Sequence, residues 1–227
     1  MPAAGAGRRM GADVPKQYLQ LGGLPILQHT LARLSQHPQI RGVVVVICAD
    51  DEYWPSLVPR LPNGIHVAPG GKERADSVLS GLEVLSMQAA PHDWVLVHDA
   101  ARPCVRADDI EKLITTVVQA QACGGLLASP VRDTMKRTDA VGRIVETVSR
   151  QQLWHALTPQ MFRLQVLVDA LQAARTGAAA VSDEASAMEL AGFHPLVVAG
   201  HPDNLKVTHP SDLQLASMYL QAQLDGS

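Results

Sequence analysis

The chain reads as an α/β protein: a mostly parallel sheet with helices on both faces and a protruding β-hairpin arm. Three observations predict this. Short β-branched runs alternate with helical periodicity after residue 25. The runs are continuously apolar, as strands buried on both faces are. One stretch, residues 132–152, breaks the alternation with two polar, β-permissive segments.

Taken in order, residues 43–48 (Val-Val-Val-Val-Ile-Cys) form a continuous buried strand, and residues 65–68 also read as a strand. Val78, Leu82 and Leu85 share one helical face, and residues 94–98 return to strand. Ile110, Leu113, Ile114, Val117 and Val118 follow the i, i+3, i+4, i+7, i+8 spacing of a packed helix, with Asp108 or Asp109 as its N-cap. Residues 124–131 read as a strand. Residues 133–138 and 143–149 then flank a turn at Asp139-Ala140-Val141-Gly142, forming the arm. A two-stranded ribbon this polar is marginal alone, which predicts that it packs against a second copy of the chain. Leu164, Leu167, Val168 and Leu171 mark a further helix, and residues 183–191 another. Strands are expected near residues 196–198 and at 204–208, and Ser211 with Gln214 makes a capping-box pattern opening a helix through about Tyr219. With no repeat or linker in the pattern, residues 1–227 read as one domain carrying an arm.

Composition excludes several functions. Net charge is −3, from 19 basic and 22 acidic side chains, so no global field draws a polyanion. Only two Phe, three Trp and three Tyr are present to stack on bases, and nucleic acid is not expected as a partner. The longest apolar run, residues 43–49, is far short of the roughly 20 residues that span a bilayer, so no membrane segment is expected. No apolar stretch follows the N-terminal arginines, which points to the cytoplasm. Cys48, Cys104 and Cys123 are too few and too dispersed for a disulfide framework and read as reduced core thiols.

The chemistry gathers at loops. Gly5 and Gly7 permit backbone shapes in which successive N–H groups converge on an anion, although Met10 breaks the dinucleotide fingerprint and no Gly-Lys-Ser/Thr follows. A bare Gly-x-Gly is also an ordinary turn. Arg8, Arg9 and Lys16 place three cations beside it, and neighbouring cations are best accommodated around a polyphosphate. This loop opens at residue 1, whereas such loops usually leave the carboxyl end of a buried strand. The expectation is a natural start further upstream that supplies this strand; the alternative is a sheet that lacks one central member.

The second cluster, Pro69-Gly-Gly-Lys-Glu-Arg-Ala-Asp-Ser77, lies at a strand-to-helix junction, where Ser77 either reads a base edge or caps the helix. The third, His98-Asp-Ala-Ala-Arg-Pro103, puts Asp99 at a strand end suited to a hard divalent cation or a sugar hydroxyl. Arg102 three residues on equally suits a structural bridge to Asp99, and His98 reads as a core histidine. Elsewhere Asp183 and Glu184 read as ordinary first-turn residues, and Lys206 as a strand lysine facing solvent.

In order and spacing these segments resemble one enzyme family, the 2-C-methyl-D-erythritol 4-phosphate cytidylyltransferases of non-mevalonate isoprenoid synthesis. The resemblance rests on Pro2-Ala-Ala-Gly-Ala-Gly-Arg-Arg-Met10, Pro15-Lys-Gln-Tyr18, residues 71–77, Val97-His-Asp-Ala-Ala-Arg-Pro103, Val131-Arg-Asp-Thr-Met-Lys-Arg137, Leu153-Trp-His-Ala-Leu-Thr-Pro-Gln160, Asp183-Glu-Ala-Ser186 and Asp203-Asn-Leu-Lys206. It implies a Rossmann-like nucleotidyltransferase fold, CTP and methylerythritol phosphate as substrates, Mg²⁺, and a homodimer joined through the hairpin arm. It also implies that Arg9 and Lys16 stabilise the transition state, and that Arg150 and Lys206 position the acceptor. Ala3, Ala4, Gly5, Gly71 and Ser77 would surround the nucleotide. Asp99, the implied metal ligand, would meet the sugar-phosphate side with Arg102, Thr158 and Ser182, while Thr134 and Arg150 would reach across from the partner's arm. Ser182 stands where the family commonly has threonine, and the family's first apolar strand has no counterpart ahead of Pro2. Two alternatives stay open: a cytidylyltransferase for another polyol phosphate such as ribitol phosphate, and a non-catalytic nucleotide-binding protein.

Overall fold

Strands β3 (Val43–Ile47), β4 (Ile65–Pro69), β5 (Trp94–Val97), β6 (Gly124–Pro130), β9 (Trp154–Arg163) and β10 (Leu196–Ala199) form the sheet framework of a computed structural model that describes residues 1–5, 14–177 and 179–225. A small hairpin of β1 (Gln20–Leu21) and β2 (Leu24–Pro25) precedes helix α1 (Ile26–Ser35), and the short α2 (Trp54–Leu57) follows β3. Helices α3 (Arg74–Ser86), α4 (Ala107–Gln119), α5 (Leu164–Thr176), α6 (Glu184–Leu190) and α7 (Pro210–Asp225) complete the frame. The strands β7 (Met135–Thr138) and β8 (Ile144–Val148) stand apart as a two-stranded ribbon, the hairpin arm.

The alternation of strand and helix has the expected physical basis. All five residues of β3 are buried, because Val43, Val45 and Ile47 pack with Leu27, Leu31 and Ile110, while Val44 and Val46 face Ala68 and Val84. On the α3 face, Val78 and Leu82 join Val95, Phe162, Leu167 and Met188. A strand covered on both sides, as β3 is, has no solvent face to be polar, hence its unbroken apolar run.

The order in the larger sheet is β10-β6-β9-β5, with β10 parallel to β6 and β9 antiparallel to both its neighbours. β3 and β4 form a parallel pair of their own. The first residues lie along β3: Pro2 bridges Val46 in parallel, Ala3 N donates to the Val46 carbonyl at 2.7 Å, and Val46 N donates to the Met1 carbonyl at 2.9 Å. Among the described residues no ladder joins β3 to β5; Met1, Val44, Val46, Leu82, Val95 and Val97 line the apolar space between them.

Several local expectations are corrected. Arg106, extended at φ −94° and ψ 149°, is the N-cap of α4, and both aspartates fall in its first turn. The Asp109 carboxylate accepts from the backbone N–H of His201 at 2.9 Å, so it ties down a distant loop and does not cap its own helix. Helix α7 begins at Pro210 and runs to Asp225, and it is Asp212 that caps it, accepting from Thr208 N and His209 N, each at 2.8 Å. Residues 204–208 are not a strand. Single bonds hold them, with Val207 N donating to the Ala101 carbonyl at 2.8 Å and Asn204 Nδ2 to that of Thr158 at 2.8 Å. The cysteines are free, but only Cys104 is a core thiol; Cys48 is exposed and Cys123 half-buried.

Candidate active site

A pocket of about 210 Å³ opens where the N-terminal loop, the β4–α3 junction and the end of β5 meet. Pro2 to Gly5 form one wall, Gly71 to Arg74 with Ser77 a second, and Asp99 to Ala101 with Lys206 a third, while Lys16 and Gln17 close the side. Ligands in open α/β sheets collect at such carboxyl ends of strands.

The walls fit closely because small residues face one another. A Cβ on Gly70 would lie 2.4 Å from Cβ of Ala4, and one on Gly71 would lie 2.3 Å from Cβ of Asp76, so these positions exclude larger residues by contact. Buried Gln17 pins the loop by donating Nε2 to the Ala3 carbonyl at 2.7 Å, and Lys16 Nζ donates to the Val207 carbonyl at 3.3 Å. Ser77 does not cap α3. Glu73 and Asp76 form the capping box, which frees the Ser77 hydroxyl to accept from Gly71 N at 3.0 Å and shape the turn.

Asp99 is the electrostatic centre. Its Oδ1 meets Arg74 at 3.1 Å, and its Oδ2 meets Lys206 at 2.8 Å and Arg102 at 3.5 Å. Burial opposes the charged form, yet the surrounding cations, Arg74 first, win and hold this carboxyl well below the usual carboxylate range. Behind it lies His98, wholly buried, with Nδ1 at 2.9 Å from Thr158 Oγ1 and Nε2 at 3.1 Å from the Arg102 carbonyl. Burial drives its pKa down to about 4, so it is a neutral core imidazole, as the sequence suggests. Thr158 Oγ1 also accepts from Asp99 N at 3.0 Å.

The structure sorts the candidate residues into three groups. Ala3, Ala4, Gly5, Lys16, Gly71, Ser77, Asp99 and Lys206 come together around the pocket. Lys206 thus does not point to solvent, because Asp99 holds it at the wall. Arg102 and Thr158 support Asp99 from behind, and Arg102 takes the bridging role while donating to the Asn204 carbonyl at 2.7 Å. Thr134 and Arg150 lie exposed at the base of the arm, Arg150 donating to the Arg132 carbonyl, and exposed Ser182 precedes α6; none of these lines the pocket. Gly7, Arg8 and Arg9 lie outside the described residues.

Three residues escaped the sequence reading. Gln17 is a loop anchor and Arg74 a pocket cation whose position at the strand-to-helix junction was the available signal. Glu184 is no ordinary first-turn residue: it is buried and takes two bonds from Arg74, at 2.7 and 3.2 Å. Asp183 also lies one position earlier than expected, as the N-cap of α6. Burial pushes the Glu184 carboxyl up while Arg74 pulls it down. No periodicity could reveal this pairing, since its partner is 110 residues away.

Known proteins share both sequence and shape. Residues 1–222 match the family described as 2-C-methyl-D-erythritol 4-phosphate cytidylyltransferase. The enzyme of that name from Vibrio vulnificus (strain CMCP6) is 54% identical over 226 residues, 99% of this chain and 94% of its own length. That from Tolumonas auensis is 54% identical over 223 residues, covering 98% and 96%. The crystal structure of the Francisella tularensis enzyme superposes with a TM-score of 0.82 at 36% identity, covering 96% of each chain. A crystal structure of 4-diphosphocytidyl-2C-methyl-D-erythritol synthase gives a TM-score of 0.82 at 39% identity, covering 91% of this chain and 95% of that one. With an α/β frame, a cation-lined pocket at the strand ends and identity of this extent, the chain belongs to the 2-C-methyl-D-erythritol 4-phosphate cytidylyltransferase family and is a nucleotidyltransferase.

Proposed function

We infer that this pocket transfers the cytidylyl group of CTP to 2-C-methyl-D-erythritol 4-phosphate, giving 4-diphosphocytidyl-2-C-methyl-D-erythritol and pyrophosphate. An oxygen of the acceptor phosphate attacks the α-phosphorus of CTP, and the bond from that phosphorus to the pyrophosphate oxygen breaks. The attacking oxygen is already anionic, so the step needs no general base. It needs charge neutralised and an in-line approach. The observation that carries this reading is the convergence of Lys16, Arg74 and Lys206 on a pocket whose opposite walls are small residues and backbone.

In this reading Ala3, Ala4, Gly5, Gly71 and Ser77 admit the nucleotide close to the main chain. Lys16, with Arg9 by family resemblance, meets the charge growing on phosphorus and leaving group. Lys206 holds the acceptor phosphate, and Thr134 and Arg150 reach the pocket of a second copy from its partner's arm, with Ser182 bordering the acceptor side. The exposed Val141, Ile144 and Val145 of the arm support such a homodimer, because a ribbon without a core of its own is stabilised by packing elsewhere.

Asp99 suits Mg²⁺. It presents hard oxygens to the pocket, and this ion typically takes one or two carboxylates while phosphates and water complete its shell. Of the cations on Asp99, Lys206 is the more exposed partner of Oδ2, with 35% of its side chain open, and is the one placed to give way. When bound, Mg²⁺ neutralises charge on the triphosphate oxygens. No helix among the described residues is long and apolar enough to cross a membrane.

The test is pyrophosphate release from CTP, Mg²⁺ and an acceptor. Release with methylerythritol phosphate and not with ribitol phosphate is expected. The reverse preference would establish the other polyol as substrate, and no release with either would leave a nucleotide-binding protein.

A further inference from the structure

Arg74 is held from two sides. Its Nε and Nη2 lie 3.2 and 3.1 Å from Asp99 Oδ1, and its Nη1 and Nη2 lie 2.7 and 3.2 Å from the two oxygens of Glu184. A guanidinium has five N–H donors in one plane; three of them are hydrogen-bonded, Nε to Asp99 and one on each Nη to Glu184, which fixes the plane in which the remaining donors point. The two carboxylates differ in exposure. Asp99 lines the pocket, whereas the Glu184 side chain is 1% exposed and lies outside the lining.

Glu184 is itself rigidly placed. Helix α6 starts with a reciprocal cap between Asp183 and Ser186, and Gln160 of β9 clamps its first turn, donating Nε2 to Asp183 Oδ2 at 2.9 Å and accepting from Ala185 N at 2.8 Å. The same strand carries Thr158, whose hydroxyl accepts from Asp99 N. Both anchors of Arg74 are therefore referenced to β9.

We propose that Glu184 is a positioning residue for the nucleotidyl-transfer site, holding the Arg74 guanidinium in the orientation that meets the triphosphate of CTP. The proposal rests on the reading of this pocket as the CTP site. It opposes a simple charge argument. The cluster of Arg74, Arg102, Lys206, Asp99 and Glu184 gains a positive charge when Glu184 becomes neutral, so charge alone would tighten CTP binding, whereas lost positioning weakens it.

Glu184→Gln keeps the shape of the side chain but replaces one acceptor oxygen with a donor amide. The expected result is a KM for CTP raised about tenfold or more, with kcat changed less than about threefold and the acceptor KM unmoved. Arg74→Gln should raise the CTP KM as well, and the double variant should be no worse than Arg74→Gln alone. A CTP KM that falls or stays constant in Glu184→Gln overturns the proposal, as does additivity in the double variant. Should Glu184→Gln not fold, the double variant leaves neither charge alone in the interior, and its comparison with Arg74→Gln decides the matter by the same criterion. A wild-type CTP KM in Arg74→Gln would instead overturn the placement of the triphosphate beside Arg74.

Discussion

The pocket wall and the hairpin arm are both rich in charge, and they are built in opposite ways. At the wall, Asp99 and Arg102 from the loop after β5, Arg74 from α3 and Glu184 from α6 are tied to one another, and Arg102 also donates to the Asn204 carbonyl. On the arm, Arg137 pairs with Glu146 in the open, and the apolar Val141, Ile144 and Val145 are 70%, 64% and 64% exposed. Buried charges must be satisfied within the fold, because removing one partner strands the other in a poor solvent. Exposed pairs contribute little, so the Arg137–Glu146 pair does not fix where the arm rests. The contrast teaches that the charges of the wall are paired in the interior of the fold, whereas the arm leaves its charged and apolar side chains open.

The largest expected effect breaks the wall's chemistry without touching its architecture. Lys16→Ala should lower kcat about a hundredfold while changing CTP affinity much less, since the ammonium acts where charge grows in the transition state. Rapid-quench turnover beside equilibrium CTP binding measures both, and an unchanged maximal rate would remove Lys16 from that role. Next comes the packing of the walls. Gly70→Ala drives a methyl against Ala4 and the Ile47 carbonyl, which a Cβ would approach to 3.2 Å, and should cost about 1–3 kcal/mol in urea unfolding with a raised CTP KM. A variant as stable as the parent, with normal CTP use, would show that the loop yields freely.

The smallest effect on the fold should come from the arm. Ile144→Lys adds a charge to an exposed face and should change the stability of the individual fold by less than about 0.5 kcal/mol. If the arm joins two copies, the same change weakens dimerisation by about tenfold or more. Sedimentation at several concentrations separates the two quantities. A loss of fold stability with unaltered association would erase the distinction between wall and arm.

Much of this was legible in the chain. Runs such as Val43 to Ile47 announce burial by composition, the spacing of Ile110, Leu113 and Val117 announces a helix face, and the turn at Asp139 to Gly142 announces the ribbon. The pocket's small residues and Lys16 were also visible, because phosphate-binding loops need particular residue types at short spacing. Less legible was the irregular course of residues 204–208, whose β-like composition is overruled by bonds to Ala101 and Thr158. The caps of α4 and α7 were misplaced for a related reason: Asp109 is engaged by His201, and Asp212 acts in place of Ser211.

By itself, then, the order of amino acids determined the α/β class, the places of the core strands and helices, and the residue types gathered for phosphate chemistry, since each depends on near neighbours and their periodicity. Only the tertiary structure decided that β9 runs against its neighbours, that Lys206 and Arg74 share Asp99, and that Glu184 is buried behind them. The physical reason is that an ion pair's strength depends on distance and dielectric, both set by chain crossings far apart in sequence. A carboxylate at the start of a helix looks alike on paper whether water or a guanidinium lies beyond it.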